Sequence, residues 1–165
     1  SAHLPPFLAS VGLFVNADVD TYMRIEQTCP TNYSQLHGEE PEDVVRACGP
    51  RLIKAVRFNQ HTITEELTRW SAVDEVDAIL VDGSAGGQGL PFDWPRLADA
   101  MPRDAKPILL AGGLTPENVA DAIRAVRPYA VDVSSGVESA PGVKDPTRIR
   151  AFGTAVHDAD ASLPT

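Results

Sequence analysis

Residues 107–119 read PILLAGGLTPENV and combine, in order, a short apolar run, two adjacent glycines and a helix start. The apolar run 107–111 is continuous rather than alternating, which is typical of a strand that is covered on both faces. Thr115 and Pro116 suit the N-cap and the first helical position, so a helix is predicted over 115–126. The stretch therefore predicts a strand, a glycine-rich turn and a helix in direct succession.

The same unit recurs along the chain. Short apolar runs predict six strands, at 11–15, 33–37, 52–56, 78–82, 107–111 and 129–133. Segments with helical spacing and recognisable caps lie between and after these strands, at 18–29, 41–48, 115–126 and 145–156. Strand–helix repeats of roughly 20 to 30 residues have the size of parallel βαβ units. The sequence thus predicts one α/β domain with a parallel sheet over residues 1–157, followed by a flexible tail over 158–165.

Polar residues or glycines lie at the C-terminal end of every predicted strand. They are Asn16, His37, Arg57, Asp82, Gly112, Gly113, Ser134, Ser135 and Gly136. A doubly wound sheet uses mainly its switch point for a ligand, whereas a (βα)8 barrel gathers all of its strand C-termini around one mouth. The pattern favours a (βα)8 TIM barrel, of which this chain would supply six βα units.

Composition and charge exclude several classes of protein. The chain of 165 residues has a net charge of −9, which disfavours nucleic acid as a partner because such surfaces need clustered Lys and Arg. No apolar run approaches the ~18 residues of a membrane span, and the N-terminus lacks a signal-peptide pattern. Cys29 and Cys48 have neither metal-ligand nor CxxC spacing. They indicate thiols in a reducing compartment, so a cytoplasmic location is expected.

Glycine-rich loops follow the last two predicted strands. Gly112 and Gly113 follow one strand, and Ser134, Ser135 and Gly136 follow the next. In barrels that bind phosphorylated ligands, the phosphate commonly lies on the loops after strands seven and eight, where free N–H groups stabilise the dianion. Tight turns that merely need glycine are the alternative. Two such loops in succession favour a phosphate site.

Five segments together resemble a known family. They read QLHGEE (35–40), KAV (54–56), LVDGSAGGQGLPFDW (80–94), LAGGLTPENV (110–119) and VDVSSGVESAPGVKD (131–145). Over about residues 11–156 the chain resembles phosphoribosylanthranilate isomerase of tryptophan biosynthesis. The resemblance implies an Amadori rearrangement of N-(5-phosphoribosyl)anthranilate to 1-(2-carboxyphenylamino)-1-deoxyribulose 5-phosphate. It implies a small phosphosugar as the binding partner, without a metal or an organic cofactor.

The resemblance also implies roles for individual residues. Asp82, at the end of the predicted strand 78–82, corresponds to the general acid that protonates the furanose ring oxygen. The glycine-rich loop that follows Asp82 includes Gly86, Gly87 and Gly89, and the resemblance implies that it folds over the substrate and excludes water. The phosphate cradle corresponds to Gly112, Gly113, Ser134, Ser135 and Gly136.

Other positions each have two interpretations. Asp132 either orients the sugar hydroxyls or makes a structural hydrogen bond within the barrel. Gln35 and His37 match the motif at a strand end, where His37 either contacts the anthranilate part or packs structurally. Lys144 and Asp145 are interpreted as the start of the last helix.

The chain departs from the family pattern at its N-terminal end. The predicted strand 11–15 matches the family's third barrel strand, so this chain lacks the first two βα units and, with them, the cysteine base. An arginine that meets the anthranilate carboxylate is lacking too. Strands 11–15 and 129–133 would be unpaired edges, which are prone to association. We therefore expect a missing N-terminal segment rather than a cleaved fragment or partner chains that close the barrel.

Three functional expectations follow. By itself the chain is expected to be inactive, and to form a homo-oligomer through its open edges if it is truly truncated. A non-catalytic phosphosugar-binding or assembly module of the same origin is the alternative function. The related isomerase of histidine biosynthesis is disfavoured by the GGQG loop at 86–89 and by the lack of a phosphate motif in the first half of the chain.

Overall fold

The structure is a computed structural model that describes Pro5 and residues 7–83 and 93–163. The main sheet contains β1 (Val11–Phe14), β2 (Tyr33–Leu36), β3 (Leu52–Arg57), β4 (Val76–Asp82), β5 (Ile108–Ala111) and β6 (Ala130–Val131). The α-helices are α1 (Val19–Thr28), α2 (Glu42–Ala47), α3 (Ile63–Ser71), α4 (Trp94–Ala100), α5 (Val119–Val126) and α6 (Pro146–Ser162). Strands and helices alternate as the sequence predicts, which confirms the α/β class.

The strands pair in chain order, from β1 to β6, and every pair is parallel. A doubly wound sheet reverses its strand order at a switch point. The order does not reverse anywhere across these six strands, so the doubly wound alternative is wrong. All six strand C-termini therefore lie along one edge of the sheet.

The two faces of the sheet carry different residues because side chains alternate along a strand. The face toward the helices builds the main core, to which β3, β4 and β5 contribute Leu52, Val56, Ile79, Val81 and Leu110. The opposite, inner face carries a small apolar cluster of Ile53, Ala55, Leu80 and Ala111. Arg57 and Asp82 are register partners that continue this inner face at the C-terminal edge.

The inner face is open to solvent at the β1 end of the sheet. Leu13 is 64% exposed and Val11 is 47% exposed, although both belong to a strand that is paired on one side with β2. Tyr33 on β2 is also exposed. This end of the described structure thus presents apolar surface that its helices do not cover.

Helix α5 begins later than the sequence predicts. Residues 116–118 form a turn, and the helix starts at Val119 rather than at 115. The Asn118 side chain explains the shift, because its Oδ1 accepts a hydrogen bond from the Thr115 N–H (2.8 Å) and its Nδ2 donates to the Gly113 carbonyl (2.9 Å). Pro116 therefore lies in the turn and not at the first helical position.

Helix α6 begins as predicted and ends later. Asp145 is its N-cap and accepts a hydrogen bond from the Thr147 N–H (2.8 Å), with Pro146 as the first helical residue. The helix continues to Ser162, so residues 158–162, which the sequence analysis placed in the tail, are helical in this structure. Phe152 and Ala159 are buried seven positions apart on one face, which holds the last turns against the core.

A hairpin that the sequence analysis did not predict follows β6. A 3₁₀ helix (Ser135–Val137) leads into β7 (Glu138–Ala140), which pairs antiparallel with β8 (Val143–Lys144). Gly142 lies in the connecting turn with a φ of 76°, a conformation that favours glycine. Lys144 thus belongs to β8, although it was interpreted as part of the last helix start.

Both cysteines lie at helix C-termini and are free thiols. Cys29 is the exposed C-cap of α1, and Cys48 is the buried C-cap of α2. Burial raises the pKa of the Cys48 thiol, and the Glu40 carboxylate raises it further. Of the helices in the described ranges, none combines the length and apolarity needed to cross a membrane.

Candidate active site

One cavity brings together all the predicted site residues that fall within the described part of the chain. It has a volume of about 440 Å³ and lies at the C-terminal edge of the sheet. Its lining includes Gln35, His37, Asp82, Gly112, Gly113, Asp132, Ser134, Ser135 and Gly136. Three further predictions, Gly86, Gly87 and Gly89, lie outside the described residues. Parallel strands in sequential order explain this convergence, because each strand delivers its final residues to the same edge.

The His37–Asp82 pair lines this cavity. His37 Nε2 is 3.2 Å from Asp82 Oδ2, and His37 Nδ1 is 2.7 Å from Gln35 Nε2. The Gln35 amide nitrogen only donates, so Nδ1 of a neutral ring accepts and Nε2 carries the proton that it donates to Asp82. Both side chains are partly buried, at 31% exposure for His37 and 21% for Asp82. The arrangement orients an acidic side chain toward the cavity.

Asp132 is a second carboxylate at the same cavity. Partial desolvation raises its pKa; His37 lowers it, the Asp82 carboxylate raises it, and Lys144 lowers it. The net direction is upward, so this carboxyl holds its proton more readily than an ordinary aspartate. Among the described residues, no group of three or more His, Cys, Asp or Glu side chains is placed to hold a metal ion.

The two glycine-rich loops form the other wall of the cavity. Gly112 and Gly113 have φ values of 89° and 68°, in the left-handed region that favours glycine. A Cβ on Gly136 would lie 1.8 Å from the Leu114 carbonyl oxygen, so only glycine allows the two loops to pack together. No described residue accepts a hydrogen bond from the backbone N–H of Gly112, Gly113, Ser135 or Gly136. These loops supply the kind of N–H groups that bind an anion.

Lys144 holds one of these loops, and the sequence analysis missed this role. Its Nζ donates to the Ser134 carbonyl (2.8 Å) and to Glu138 Oε1 (2.7 Å), which ties the loop to the β7–β8 hairpin. Glu138 has a lowered pKa, mainly because of this hydrogen bond. A Glu and a Lys on either side of Pro141 and Gly142 were the available signal, since such a turn places them on paired strands.

A second, larger cavity shares His37 and Asp82 with the first. Its volume is about 880 Å³, and it extends over the ends of β2 and β3, where Arg57 lines it. Glu40 and Lys54 also line it and form an ion pair that the sequence analysis did not predict. The His37–Asp82 pair thus lies where the two cavities meet.

A family model described as N-(5'-phosphoribosyl)anthranilate (PRA) isomerase matches residues 3–155. The chain belongs to the PRA isomerase family. Among its relatives, N-(5'-phosphoribosyl)anthranilate isomerase of Magnetococcus marinus is 47% identical over 161 residues, which cover 94% of this chain and 73% of that protein. The isomerase of Myxococcus xanthus is 44% identical over 151 residues, covering 90% of this chain and 71% of the relative.

Crystal structures of PRA isomerases share this fold. The enzyme of Thermus thermophilus superposes with a TM-score of 0.80 at 34% identity, over 94% of this chain and 75% of that one. The enzyme of Thermotoga maritima gives 0.79 at 39% identity, over 94% and 76%. A PRA isomerase in complex with reduced 1-(o-carboxyphenylamino)-1-deoxyribulose 5-phosphate gives 0.78 at 35% identity, over 95% and 75%. The family predicted from the five motifs is confirmed, and the chain is an isomerase of this family.

Proposed function

We propose that the 440 Å³ cavity binds N-(5'-phosphoribosyl)anthranilate and that Asp82 is the general acid of its Amadori rearrangement. One observation carries the proposal: the His37–Asp82 pair and both glycine-rich loops line the same cavity. The substrate of this family has a phosphate at one end of a ribose and a reactive carbon at the other. A site for it needs an anion cradle and a proton donor a sugar's length apart.

The loops 112–113 and 134–136 are proposed to hold the phosphate. Backbone N–H groups stabilise a dianion without a formal charge, which suits a chain whose net charge is −9. The missing side chains of Gly112, Gly113 and Gly136 let the phosphate oxygens approach the backbone closely. Lys144 contributes positive charge beside this cradle through its contact with Ser134.

The proposed chemistry begins with proton transfer from Asp82. The proton goes to the furanose ring oxygen while the C1–O bond breaks, and the lone pair of the anthranilate nitrogen forms a C=N bond. A base then removes the C2 proton to give an enolamine. A proton added at C1 and loss of the C2 hydroxyl proton complete the ketose, 1-(2-carboxyphenylamino)-1-deoxyribulose 5-phosphate. The family resemblance assigns the base to a cysteine on a strand before β1, and not to any residue of this chain.

We further propose that two βα units precede β1 in the complete enzyme and close an eight-stranded barrel. The relative from Magnetococcus marinus supports this proposal, because the match covers only 73% of its length. The exposure of Val11 and Leu13 on the inner face supports it too, since a neighbouring strand would cover them. The chain alone is then expected to lack turnover and to associate through β1 and β6.

The substitution Asp82→Asn in the full-length protein tests the assignment of the acid. We expect turnover to fall by about 10² or more, because loss of a general acid removes a contribution of that size. Affinity for reduced 1-(o-carboxyphenylamino)-1-deoxyribulose 5-phosphate should stay within a few-fold, since the phosphate loops are untouched. Asp121→Asn, which replaces an exposed carboxylate on α5, is the matched control and should leave both values unchanged.

An unchanged rate in Asp82→Asn would remove this residue from the mechanism. A full-length protein that binds the reduced ligand but shows no turnover would instead support the non-catalytic phosphosugar-binding module.

A further inference from the structure

A buried ion pair lies beside the mouth of the site. Glu40 Oε2 and Lys54 Nζ are 2.8 Å apart, and their side chains are only 1% and 3% exposed. Burial raises the pKa of Glu40, but hydrogen bonds from Lys54 and from backbone N–H groups outweigh it, so the net direction is downward. Buried ion pairs contribute little net stability, because desolvation offsets their attraction. The hydrogen bonds that this pair makes to the neighbouring backbone are therefore more informative about its role than its contribution to stability.

The ion pair holds the backbone on both sides of His37. Lys54 Nζ donates to the Leu36 carbonyl (3.3 Å) and to the Gly38 carbonyl (2.8 Å). Glu40 Oε1 accepts from the Gly38 N–H (2.9 Å), and the His37 N–H itself donates to the Phe14 carbonyl (2.8 Å). Each peptide group next to His37 is thus held by at least one hydrogen bond, from Lys54 and to Phe14 on one side and to Glu40 on the other.

Asn16 completes this arrangement from the end of β1. Glu40 Oε1 accepts from the Asn16 N–H (2.9 Å), and Asn16 Oδ1 accepts from the Glu39 N–H (2.7 Å). Asn16 has a φ of 52°, a left-handed conformation that asparagine tolerates better than most residues. A Cβ on Gly38 would lie 2.2 Å from Asn16 Oδ1, so the loop packs directly on this side chain. These contacts hold the loop 37–40 against the end of β1.

We propose that Glu40 and Lys54 are positioning residues that aim the His37 ring at Asp82. The inference rests on the proposed role of Asp82 as the acid. The ion pair fixes Leu36 and Gly38, these fix His37, and His37 Nε2 reaches Asp82 Oδ2 at 3.2 Å. Glu40 and Lys54 line the adjoining 880 Å³ cavity but not the 440 Å³ cavity proposed to bind the substrate. Their side chains are only 1% and 3% exposed and bond to each other and to the backbone beside His37, so they act through His37.

The double variant Glu40→Gln/Lys54→Met in the full-length protein tests this role. Removing both charges avoids leaving one of them buried alone. We expect kcat to fall about tenfold with KM within twofold, because a misdirected group costs turnover more than binding. Tyr22→Phe is the matched control, because it removes a buried hydrogen bond (3.1 Å) to Ser34, which lies on β2 with Leu36. It should lower the melting temperature without lowering kcat.

A double-mutant cycle separates positioning from a general structural effect. In a His37→Ala background, the same double variant should change kcat by less than about twofold, since coupled residues are non-additive. A full additional tenfold loss in that background would overturn the proposal.

A second measurement tests the proposal independently of enzyme activity. The ¹⁵N shifts of the His37 ring should report one tautomer, with the proton on Nε2, in the wild-type protein. The double variant should give averaged shifts. If it does not fold, Glu40→Asp keeps the charge, shortens the reach and should have the same effect. Unchanged ring shifts in either variant would refute positioning, whereas a wild-type protein without turnover would refute only the proposed function.

Discussion

The two walls of the cavity are built on different principles. The proposed acid wall is formed by Gln35, His37 and Asp82. Behind it, the buried Glu40–Lys54 ion pair holds the backbone beside His37, whose ring contacts Gln35 and Asp82. On the proposed phosphate wall, formed by 112–114 and 134–136, backbone N–H groups would bind the ligand, and the supporting Lys144–Glu138 pair is partly exposed. A proton donor needs a defined direction, whereas a phosphate needs close approach of several N–H groups.

The electrostatics of the two walls differ as well. Hydrogen bonds lower the pKa of Glu40 despite its burial, so it stays ionised. Partial desolvation and the nearby Asp82 raise the pKa of Asp132, despite the opposing effect of His37 and Lys144. The Glu40 oxygens accept hydrogen bonds from Asn16, Gly38 and Lys54, which is typical of a structural carboxylate. Among the described residues none donates a hydrogen bond to the Asp132 side chain, and we propose that this carboxyl is available to the ligand. Three substitutions test this contrast, two at the proposed phosphate wall and one at Asp132.

The largest effect is expected from Gly136→Ala, which disrupts the phosphate wall. The new Cβ would lie 1.8 Å from the Leu114 carbonyl oxygen, so the loop 134–136 must move. Affinity for reduced 1-(o-carboxyphenylamino)-1-deoxyribulose 5-phosphate, measured by calorimetry on the full-length protein, should fall by about 10², as expected for displaced binding groups. Gly153→Ala in α6 is the control, because nothing lies within 4 Å of its Cβ and the affinity should not change.

A smaller effect is expected from Lys144→Met, which removes the support and leaves the loop itself intact. Losing the hydrogen bonds to Ser134 and Glu138 should weaken binding of the same ligand about tenfold, the size of one charged hydrogen bond. Arg124→Met removes an exposed pair with Asp121 (2.8 Å) and is the control. Equal affinities for wild type and Lys144→Met would show that the phosphate wall does not need the hairpin.

The smallest effect is expected from Asp132→Asn, in the pH dependence of stability. The folded pKa of Asp132 lies above its ordinary value of 3.8, so ionisation costs stability as pH rises through the folded pKa. Below 3.8 both states hold the proton, and the variant should match the wild type in melting temperature. Toward neutral pH the variant should become more stable by a few degrees, a typical response of a domain this size. The measurement is the melting temperature of both proteins across this pH range. A variant that becomes less stable than the wild type as pH rises would contradict the prediction.

Most of the fold could be predicted because its signals are local. Continuous apolar runs located all six strands, since strands covered by helices carry few polar residues. The start of α5 could not be placed, because Asn118 competes with Thr115 for the capping position and bonds back to Gly113. The hairpin β7–β8 has strands of only three and two residues, which are too short to show an alternating pattern of apolar and polar residues.

The candidate site could be predicted where glycines and a strand-end aspartate mark it. The ion pair that supports the site, Glu40 with Lys54, could not be predicted. Glu40 and Lys54 both fall within recognised motifs, yet their contact joins a loop to a strand and leaves no periodic signal. A lysine inside the run 52–56 suggests a solvent-exposed face, whereas Lys54 is 2% exposed. Its partners Leu36, Gly38 and Glu40 come within reach only because β2 pairs with β3.

The most direct test of the central claim is a crystal structure of the full-length protein with reduced 1-(o-carboxyphenylamino)-1-deoxyribulose 5-phosphate. We predict phosphate oxygens within about 3.2 Å of backbone N–H groups in 112–113 and 134–136, the usual hydrogen-bond range. The carbon that becomes C1 of the ketose should lie beside Asp82, with His37 still bonded to this carboxylate. A phosphate bound away from both loops, or a sugar out of reach of Asp82, would contradict the account.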